Sequence, residues 1–170
     1  MSPAEEAEAR LLARGVTIYR DGWGVPHIHG QTDRHVMFGY AYAQAEDFFW
    51  QIEDTYILSL GRYSEVHGPK GLNSDLLNRA FEVVPKSRVA YRELEPEYQA
   101  LCGAFTLGLN YYLATHPETK PRMITHFEPW HVLAFGRQVL LELCFRYTRL
   151  SHNYLPRTHP LISTATGSNG

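Results

Sequence analysis

Residues 38–47, with the sequence FGYAYAQAED, lie inside the segment that decides the fold. From Asp33 to Ile57, apolar residues recur three or four positions apart, and acidic residues occupy several of the positions between them. This period is typical of an amphipathic α-helix, in which one face packs against the core. The sequence therefore predicts one long helix that begins near Asp33 and ends by Gly61.

The segment before this helix predicts a β-hairpin. Residues 16–20 and 25–29 are short β-branched and aromatic runs, separated by four residues that begin with an Asp-Gly pair. An Asp-Gly pair tolerates the positive φ angles of a tight turn. We expect two antiparallel strands joined at this pair.

A second helix is predicted from Pro96 to the point where His116 and Pro117 close it. Its apolar residues have a 3, 4, 4, 3 spacing, which places them on one face of a helix. They are Tyr98, Leu101, Phe105, Leu109 and Tyr112. Gly103 and Gly108 interrupt this helix, so we expect close packing against another backbone there.

A third helix is predicted from about Trp130 to Arg149, since Pro129 is suited to a first helical turn. The residues expected to be buried on it are Trp130, Leu133, Ala134, Leu140, Leu141 and Cys144. Residues 61–75 are rich in Gly, Asn, Ser and Pro, which predicts a loop that covers another feature, with helices resuming near Ser74.

The composition is that of a globular chain. Its 170 residues are 44% hydrophobic, which is enough for one domain with a real core. With 16 Lys and Arg against 18 Asp and Glu, there is no basic excess to neutralise phosphates. No apolar run approaches the ~20 residues of a membrane-spanning helix, and residues 1–6 are too acidic and polar for a targeting segment. Nucleic-acid and membrane partners are not expected.

No complete catalytic or metal-binding set is evident. His27 and His29 share one strand face without a third ligand at a typical spacing, so ordinary hydrogen-bonded histidines are favoured over a metal site. The acidic residues of the long helix are favoured as its solvated face over an acid/base pair; they are Glu46, Asp47, Glu53 and Asp54. Phosphate loops, dinucleotide fingerprints and nucleophile elbows do not occur, so no cofactor is expected.

The cysteines and the end of the chain leave alternatives open. Cys102 and Cys144 are either buried thiols, which we favour, or one disulfide. Residues 151–170 have no period and become small and polar, which predicts a linker or a functional segment. The last residues, TGSNG, are suited to self-cleavage, because glycine accepts the strained backbone in which a following hydroxyl attacks the preceding carbonyl.

Six short motifs, in order along the chain, resemble the penicillin amidase family of N-terminal-nucleophile hydrolases. They are GVPHI at 24–28, FGYAYAQAED at 38–47, GRYSE at 61–65 followed by Gly68, NSD at 73–75, GLNYY at 108–112 and FEPW at 127–130. The resemblance covers residues 16 to about 150. The tyrosine-rich second motif and the NSD turn are most similar to the branch of acyl-homoserine lactone and aculeacin acylases.

The resemblance implies an α+β fold, in which a mostly helical α subunit with a short hairpin packs onto an αββα core completed by a β subunit. Residues 1–150 would form the helical domain and residues 151–170 a spacer-like segment that ends at the processing site. The catalytic serine would be the first residue of the β subunit, so no catalytic residue is expected in this chain. A free-standing helical binding or scaffold protein is the competing interpretation.

The resemblance also assigns roles to individual residues. The end of the third helix would line the acyl pocket through Leu143, Phe145, Arg146 and Tyr147. Gly170 is favoured as the residue before the scissile bond, because a chain ending in Gly is what cleavage before a nucleophile leaves. Ser168 is the nucleophile only if GSN at 167–169 is an uncut motif. Calcium is not implied, since Asn153 lies near the place where some members carry a carboxylate.

For the whole protein, the resemblance implies a self-processed hydrolase of N-acyl amides. The expected substrates are N-acyl-homoserine lactones, whose loss silences quorum signalling, with β-lactam antibiotics as a second class. The expected compartment is the periplasm or the exterior of the cell.

Overall fold

The computed structural model describes residues 1–147, with side chains through residue 144. Contacts divide the chain into two compact units, Met1–Gln138 and Val139–Gly170. The expectations for Asn153, Ser168, Gly170 and the side chains of residues 145–147 lie outside the described residues.

The described part is mostly helical, with one two-stranded antiparallel sheet, as predicted. The strands are β1 (Val16–Arg20) and β2 (Pro26–Gly30). The helices are α1 (Pro3–Arg14), α2 (Asp33–Ser59), α3 (Tyr63–His67), α4 (Leu72–Ala80), α5 (Val83–Glu93), α6 (Pro96–Thr115) and α7 (His131–Tyr147). None of them is both long and apolar enough to cross a bilayer.

Helix α1 has no counterpart among the predicted elements. Its start is a capping box, in which the Ser2 hydroxyl accepts from the Glu5 N–H and the Glu5 carboxylate accepts from the Ser2 N–H. This reciprocal pair satisfies two backbone donors that a helix start otherwise leaves open. The Ser-x-x-Glu spacing was the sequence signal for this helix.

The hairpin forms where the sequence predicted it. Val16 pairs with Gly30, and Ile18 with Ile28, in an antiparallel register. Alternate residues of both strands are half-buried, because the sheet packs one face against α2. The positive φ that was expected at the Asp-Gly pair occurs instead at Gly24, whose φ of 81° is a left-handed conformation that glycine tolerates.

The centre of the fold is the packing of two long helices, α2 and α6, both predicted with nearly these bounds. Their buried residues form the main core, together with two from the segment before α7. These include Phe49, Tyr56, Ile57, Leu109, Tyr112, Ile124 and Phe127.

The prediction of a loop at residues 61–75 is wrong. This segment contains α3, a short 3-10 turn and the start of α4. The Asp75 carboxylate accepts from the backbone N–H groups of Tyr63 and Ser64 at 2.8 Å each, and so holds the start of α3. Gly61 and Gly68 have positive φ, so these glycines make the bends between short helices.

Most of the residues expected to be buried on the third helix are more exposed than the sequence predicted. Ala134 is buried, Trp130, Leu133 and Leu141 are half-buried, and Leu140, at 62%, and Cys144 are exposed. Apolar residues on α7 occur on more than one face, and a helix cannot bury all its faces against one neighbour. Cys102 is the buried free thiol that was expected, and burial raises its pKa.

Candidate functional site

An apolar groove lies on the surface of the first unit. Its volume is about 420 Å³, and α2 forms one wall with residues that recur every three or four positions. Phe105 of α6 and both Val132 and Phe135 of α7 form the rest. The α2 residues are Met37, Tyr40, Gln44, Phe48, Gln51, Ile52, Thr55 and Tyr56.

Phe48 is the most exposed aromatic side chain of the groove. Its φ of −146° and ψ of 40° interrupt the helical backbone of α2. At this kink Phe48 is 60% exposed while the next residue, Phe49, is 3% exposed and belongs to the core. One phenyl ring therefore faces the groove and the next one faces the interior. The apolar period of the long helix includes Phe48, but it does not predict that the ring is exposed.

Glu53 corrects the expectation that the acidic residues of α2 form a solvated face. Its side chain is fully buried, and its carboxylate accepts from three consecutive backbone N–H groups. The distances are 3.0 Å to Arg122, 2.8 Å to Met123 and 3.0 Å to Ile124. A buried carboxylate is stable where backbone donors replace its water. Glu53 thus fixes the segment that leads into α7.

Asn110 of the GLNYY motif fixes the same segment at Phe127, three residues after Ile124. Its side-chain oxygen accepts from the Phe127 N–H at 2.8 Å, and its side-chain nitrogen donates to the Phe127 carbonyl at 2.9 Å. Both groups are buried, so the amide satisfies a donor and an acceptor that water does not reach.

Asp54 of α2 contacts three side chains from two other elements. Its carboxylate accepts from the Tyr63 hydroxyl at 3.0 Å, contacts His67 Nε2 and pairs with Arg122 at 3.3 Å. Burial first, and then the hydrogen bond to Asp54, raise the pKa of Tyr63. Asp54 therefore ties α3 and the loop before α7 to α2.

The remaining acidic residues behave as predicted. Glu46 and Asp47 pair with the Arg20 guanidinium at 3.0 and 2.9 Å on the surface. His27 and His29 are both exposed on β2, and His27 Nε2 lies 3.1 Å from an Asp21 carboxylate oxygen. Within residues 1–144, no three His, Cys, Asp or Glu side chains come together in a way that could hold a metal ion.

Of the predicted acyl-pocket residues, Leu143 has a described side chain. It is 45% exposed on α7, so the described chain does not bury it. Residues 145–147 belong to α7 in their backbone.

The apolar groove and the polar network serve different purposes. The groove offers hydrocarbon and aromatic surface with few polar groups, which suits an apolar partner or chain. The carboxylates of Glu53 and Asp54 are occupied by structural partners, and so they position backbone segments.

Comparison with known proteins gives the family. The penicillin amidase family profile matches residues 15–165. Penicillin acylase 2 proenzyme from Pseudomonas sp. (strain SE83) is 30% identical over 141 residues, covering 75% of this chain and 17% of that protein. The acyl-homoserine lactone acylase QuiP from Pseudomonas aeruginosa is 29% identical over 110 residues, covering 65% of this chain and 13% of that protein.

The fold has a relative of known structure. The chain superimposes on a thermostable penicillin G acylase from Alcaligenes faecalis with a TM-score of 0.66 and 20% identity, covering 79% of this chain and 74% of the other. The chain spans less than a fifth of the length of the two curated relatives above. Because the family profile matches most of the chain, and in the place where the short motifs lie, the chain belongs to the penicillin amidase family.

Proposed function

We propose that this chain is the α-subunit part of an N-acyl amide hydrolase that is cut from a single precursor. The observation that carries the proposal is the groove of α2, α6 and α7, with Tyr40, Phe48 and Phe135 exposed in it. Contiguous exposed aromatic surface of this kind is typical of a face that another polypeptide covers. The β subunit is the covering partner that we propose.

The relatives support a two-chain protein. The name of the Pseudomonas SE83 relative marks it as a proenzyme, of which this chain covers 17%. In contrast, it covers 74% of a single chain in the penicillin G acylase structure, a chain of about its own size. Both ratios fit a precursor whose first segment becomes a separate subunit.

The proposed reaction uses a serine at the start of the β subunit. Its hydroxyl attacks the amide carbonyl carbon while its own free α-amino group accepts the hydroxyl proton. The C–N bond breaks, the amine leaves with a proton, and water then hydrolyses the acyl-serine ester to a carboxylic acid. The α subunit contributes apolar surface for the acyl group.

We assign the acyl contact to the end of α7. Leu143, Phe145, Arg146 and Tyr147 are the proposed residues, and Leu143 supports this assignment because its side chain is accessible in the described chain. A mostly apolar set of this kind suits a fatty acyl chain, with Arg146 available to a polar group.

The proposed substrates are N-acyl-homoserine lactones, with β-lactam antibiotics as a second class. Relatives named for each activity support this choice. Gly170 is the proposed residue before the scissile bond, residues 151–170 the proposed spacer, and the periplasm or the exterior the proposed compartment.

One experiment tests the chain organisation and the reaction together. The complete coding sequence is expressed, the mature protein is purified, and the N-terminus of the second chain is sequenced. We expect a second chain that begins with Ser and release of free homoserine lactone from a series of acyl chain lengths. Opening of the lactone ring with the amide intact would contradict the mechanism. A stable single chain of residues 1–170 that unfolds cooperatively would favour the free-standing binding protein.

A further inference from the structure

A second cavity of the first unit has a different lining. It has a volume of about 410 Å³, is open to solvent, and is bounded by α5, by the segment before α7 and by Leu60 at the end of α2. Its apolar wall includes Leu60, Val84 and Ile124. Arg88, Trp130 and His131 lie on the polar side. The cavity is therefore amphipathic.

Arg88 brings a positive charge that is not used in an ion pair. Its guanidinium carbon lies 4.5 Å from the centroid of the Trp130 ring, a cation–π contact. Among the described residues, no carboxylate lies within ion-pair distance of Arg88, whereas Arg62 on the same cavity pairs with Glu65 at 2.7 Å. A guanidinium presents a fork of N–H donors that matches the geometry of a carboxylate.

His131 supplies a second donor on the lining of the cavity. Its side chain is 5% exposed, and its Nδ1 accepts from the Glu128 N–H at 3.2 Å. The neutral ring therefore carries its hydrogen on Nε2, which has no hydrogen-bond partner within residues 1–144. Burial and the charge of Arg88 lower the pKa of His131 to about 4, which keeps the ring neutral at physiological pH.

The other charged lining residues do not cancel this donor pair. Glu128 is the carboxylate on the cavity wall, and it is exposed, with its Oε1 3.9 Å from His126 Nε2. Arg62 is paired with Glu65, so Arg88 is the lining guanidinium that has no ion pair among the described residues.

We propose that this cavity binds a small organic carboxylate. The carboxylate group accepts from Arg88 and from His131 Nε2, and the hydrocarbon part packs against Leu60, Val84 and Ile124. The volume lies within the range of small-molecule pockets, which combine apolar walls with a few placed polar groups. Hydrolysis of an N-acyl amide also releases a carboxylic acid. The proposed binding of a carboxylate is argued from the lining of the cavity, however, and does not depend on which amide is hydrolysed.

The test uses hexanoate as the probe and the mature protein from the complete coding sequence. The histidine rings are labelled with ¹³C at Cε1, and a His131→Asn variant identifies the His131 signal among the nine histidines. Hexanoate is titrated at constant pH and ionic strength. Hexan-1-ol, which has the same chain without the charge, and inorganic phosphate, which has charge without the chain, are the comparison ligands.

We expect saturable shifts of the His131 signal with hexanoate and a raised His131 pKa in its presence, because a bound anion favours the imidazolium. Arg88→Gln should weaken hexanoate binding about tenfold or more, since a hydrogen bond to a charged group is lost. Arg92→Gln, one turn further along α5 and away from the cavity, should leave the affinity unchanged.

Three results would overturn the proposal: no saturable shift with hexanoate, equal affinity in Arg88→Gln and Arg92→Gln, or equal binding of hexan-1-ol. If phosphate binds as well as hexanoate, the site is a general anion site and the apolar wall has no role, which also contradicts the proposal. Amide hydrolysis is assayed on the same preparations, so a failure of the acylase assignment is seen separately from a failure of hexanoate binding.

Discussion

Gly108 of α6 lies directly against the backbone of Phe38 in α2. A Cβ atom at position 108 would overlap the Phe38 carbonyl oxygen and lie 2.9 Å from Ala41 Cβ. The two longest helices approach this closely because the residue at the crossing has no side chain. The sequence predicted close packing at both glycines of α6, and this is confirmed at Gly108 and wrong at Gly103, whose Cβ would meet no atom within 4 Å.

This difference makes a matched pair of substitutions. Gly108→Ala should lower the free energy of unfolding by about 1–3 kcal/mol, since the helices must separate to accept the methyl group. Gly103→Ala, in the same helix, should raise it by up to ~1 kcal/mol through helix propensity. Urea unfolding of the mature protein measures both. Equal effects of the two substitutions would mean that the crossing is looser than described.

Glu53 gives a second prediction, on the segment that leads to α7. Glu53→Gln retains one acceptor oxygen but turns a side-chain N–H₂ group toward backbone N–H groups, so buried donors lose their partner. We expect a loss of about 2–4 kcal/mol in the free energy of unfolding. Glu46→Gln, on the exposed face of the same helix, should cost less than ~1 kcal/mol because its ion pair with Arg20 is on the surface. Similar losses in the two variants would contradict the role of Glu53.

The contrast between Glu53 and Glu46 shows what the sequence could determine. Period and turn residues located the hairpin, α2 and α6, because local patterning decides those elements. Glu53 has the same residue type and a similar place in the pattern as Glu46. Its burial depends on residues 122–124, about seventy positions away, whose backbone donors converge on it. Such a contact has no local signal.

The groove and the second cavity also depend on features that local sequence patterning does not reveal. The helical period separates Phe48 from its identical neighbour Phe49, but it does not encode the irregular backbone at Phe48 or the 60% exposure of this ring. The amphipathic cavity is lined both by Arg88 of α5 and by Trp130 and His131, which lie more than forty residues later in the sequence. In contrast, α1 was predictable from Ser2 and Glu5, since a capping box is a local motif.

His131 predicts a dependence of stability on pH. Its pKa of about 4 in the folded protein lies below its ordinary value of 6.5, so the unfolded chain binds more protons between these values. The stabilisation is complete above pH ~6.5 and is lost as the pH falls toward 4. It amounts to about 3 kcal/mol, since one pKa unit is ~1.4 kcal/mol.

The measurement compares urea unfolding at pH 7 and pH 4.5 in buffers without carboxylates. His131→Asn keeps an acceptor for the Glu128 N–H but does not titrate, so its stability should fall less over this range. His27→Asn, on the exposed face of β2, should retain the full loss. A wild-type loss that His131→Asn does not reduce would assign the titration to another group.

The last prediction concerns the proposed acyl pocket at the end of α7. Leu143→Trp adds volume at a side chain that is accessible in the described chain, so overpacking of this chain's own core is not expected. If Leu143 lines the pocket, the added ring shortens the space for the acyl group. The ratio of kcat/KM for short over long acyl chains should then rise about tenfold or more, since one methylene in an apolar pocket changes the barrier by ~1–3 kcal/mol. Leu76→Trp, also an exposed leucine but on α4, should leave the ratio unchanged.

Processing of the precursor, measured by the appearance of the second chain, should remain intact in both variants. If Leu143 instead packs against the β subunit, Leu143→Trp will impair maturation and lower kcat/KM for all chain lengths alike, and the pocket assignment then fails.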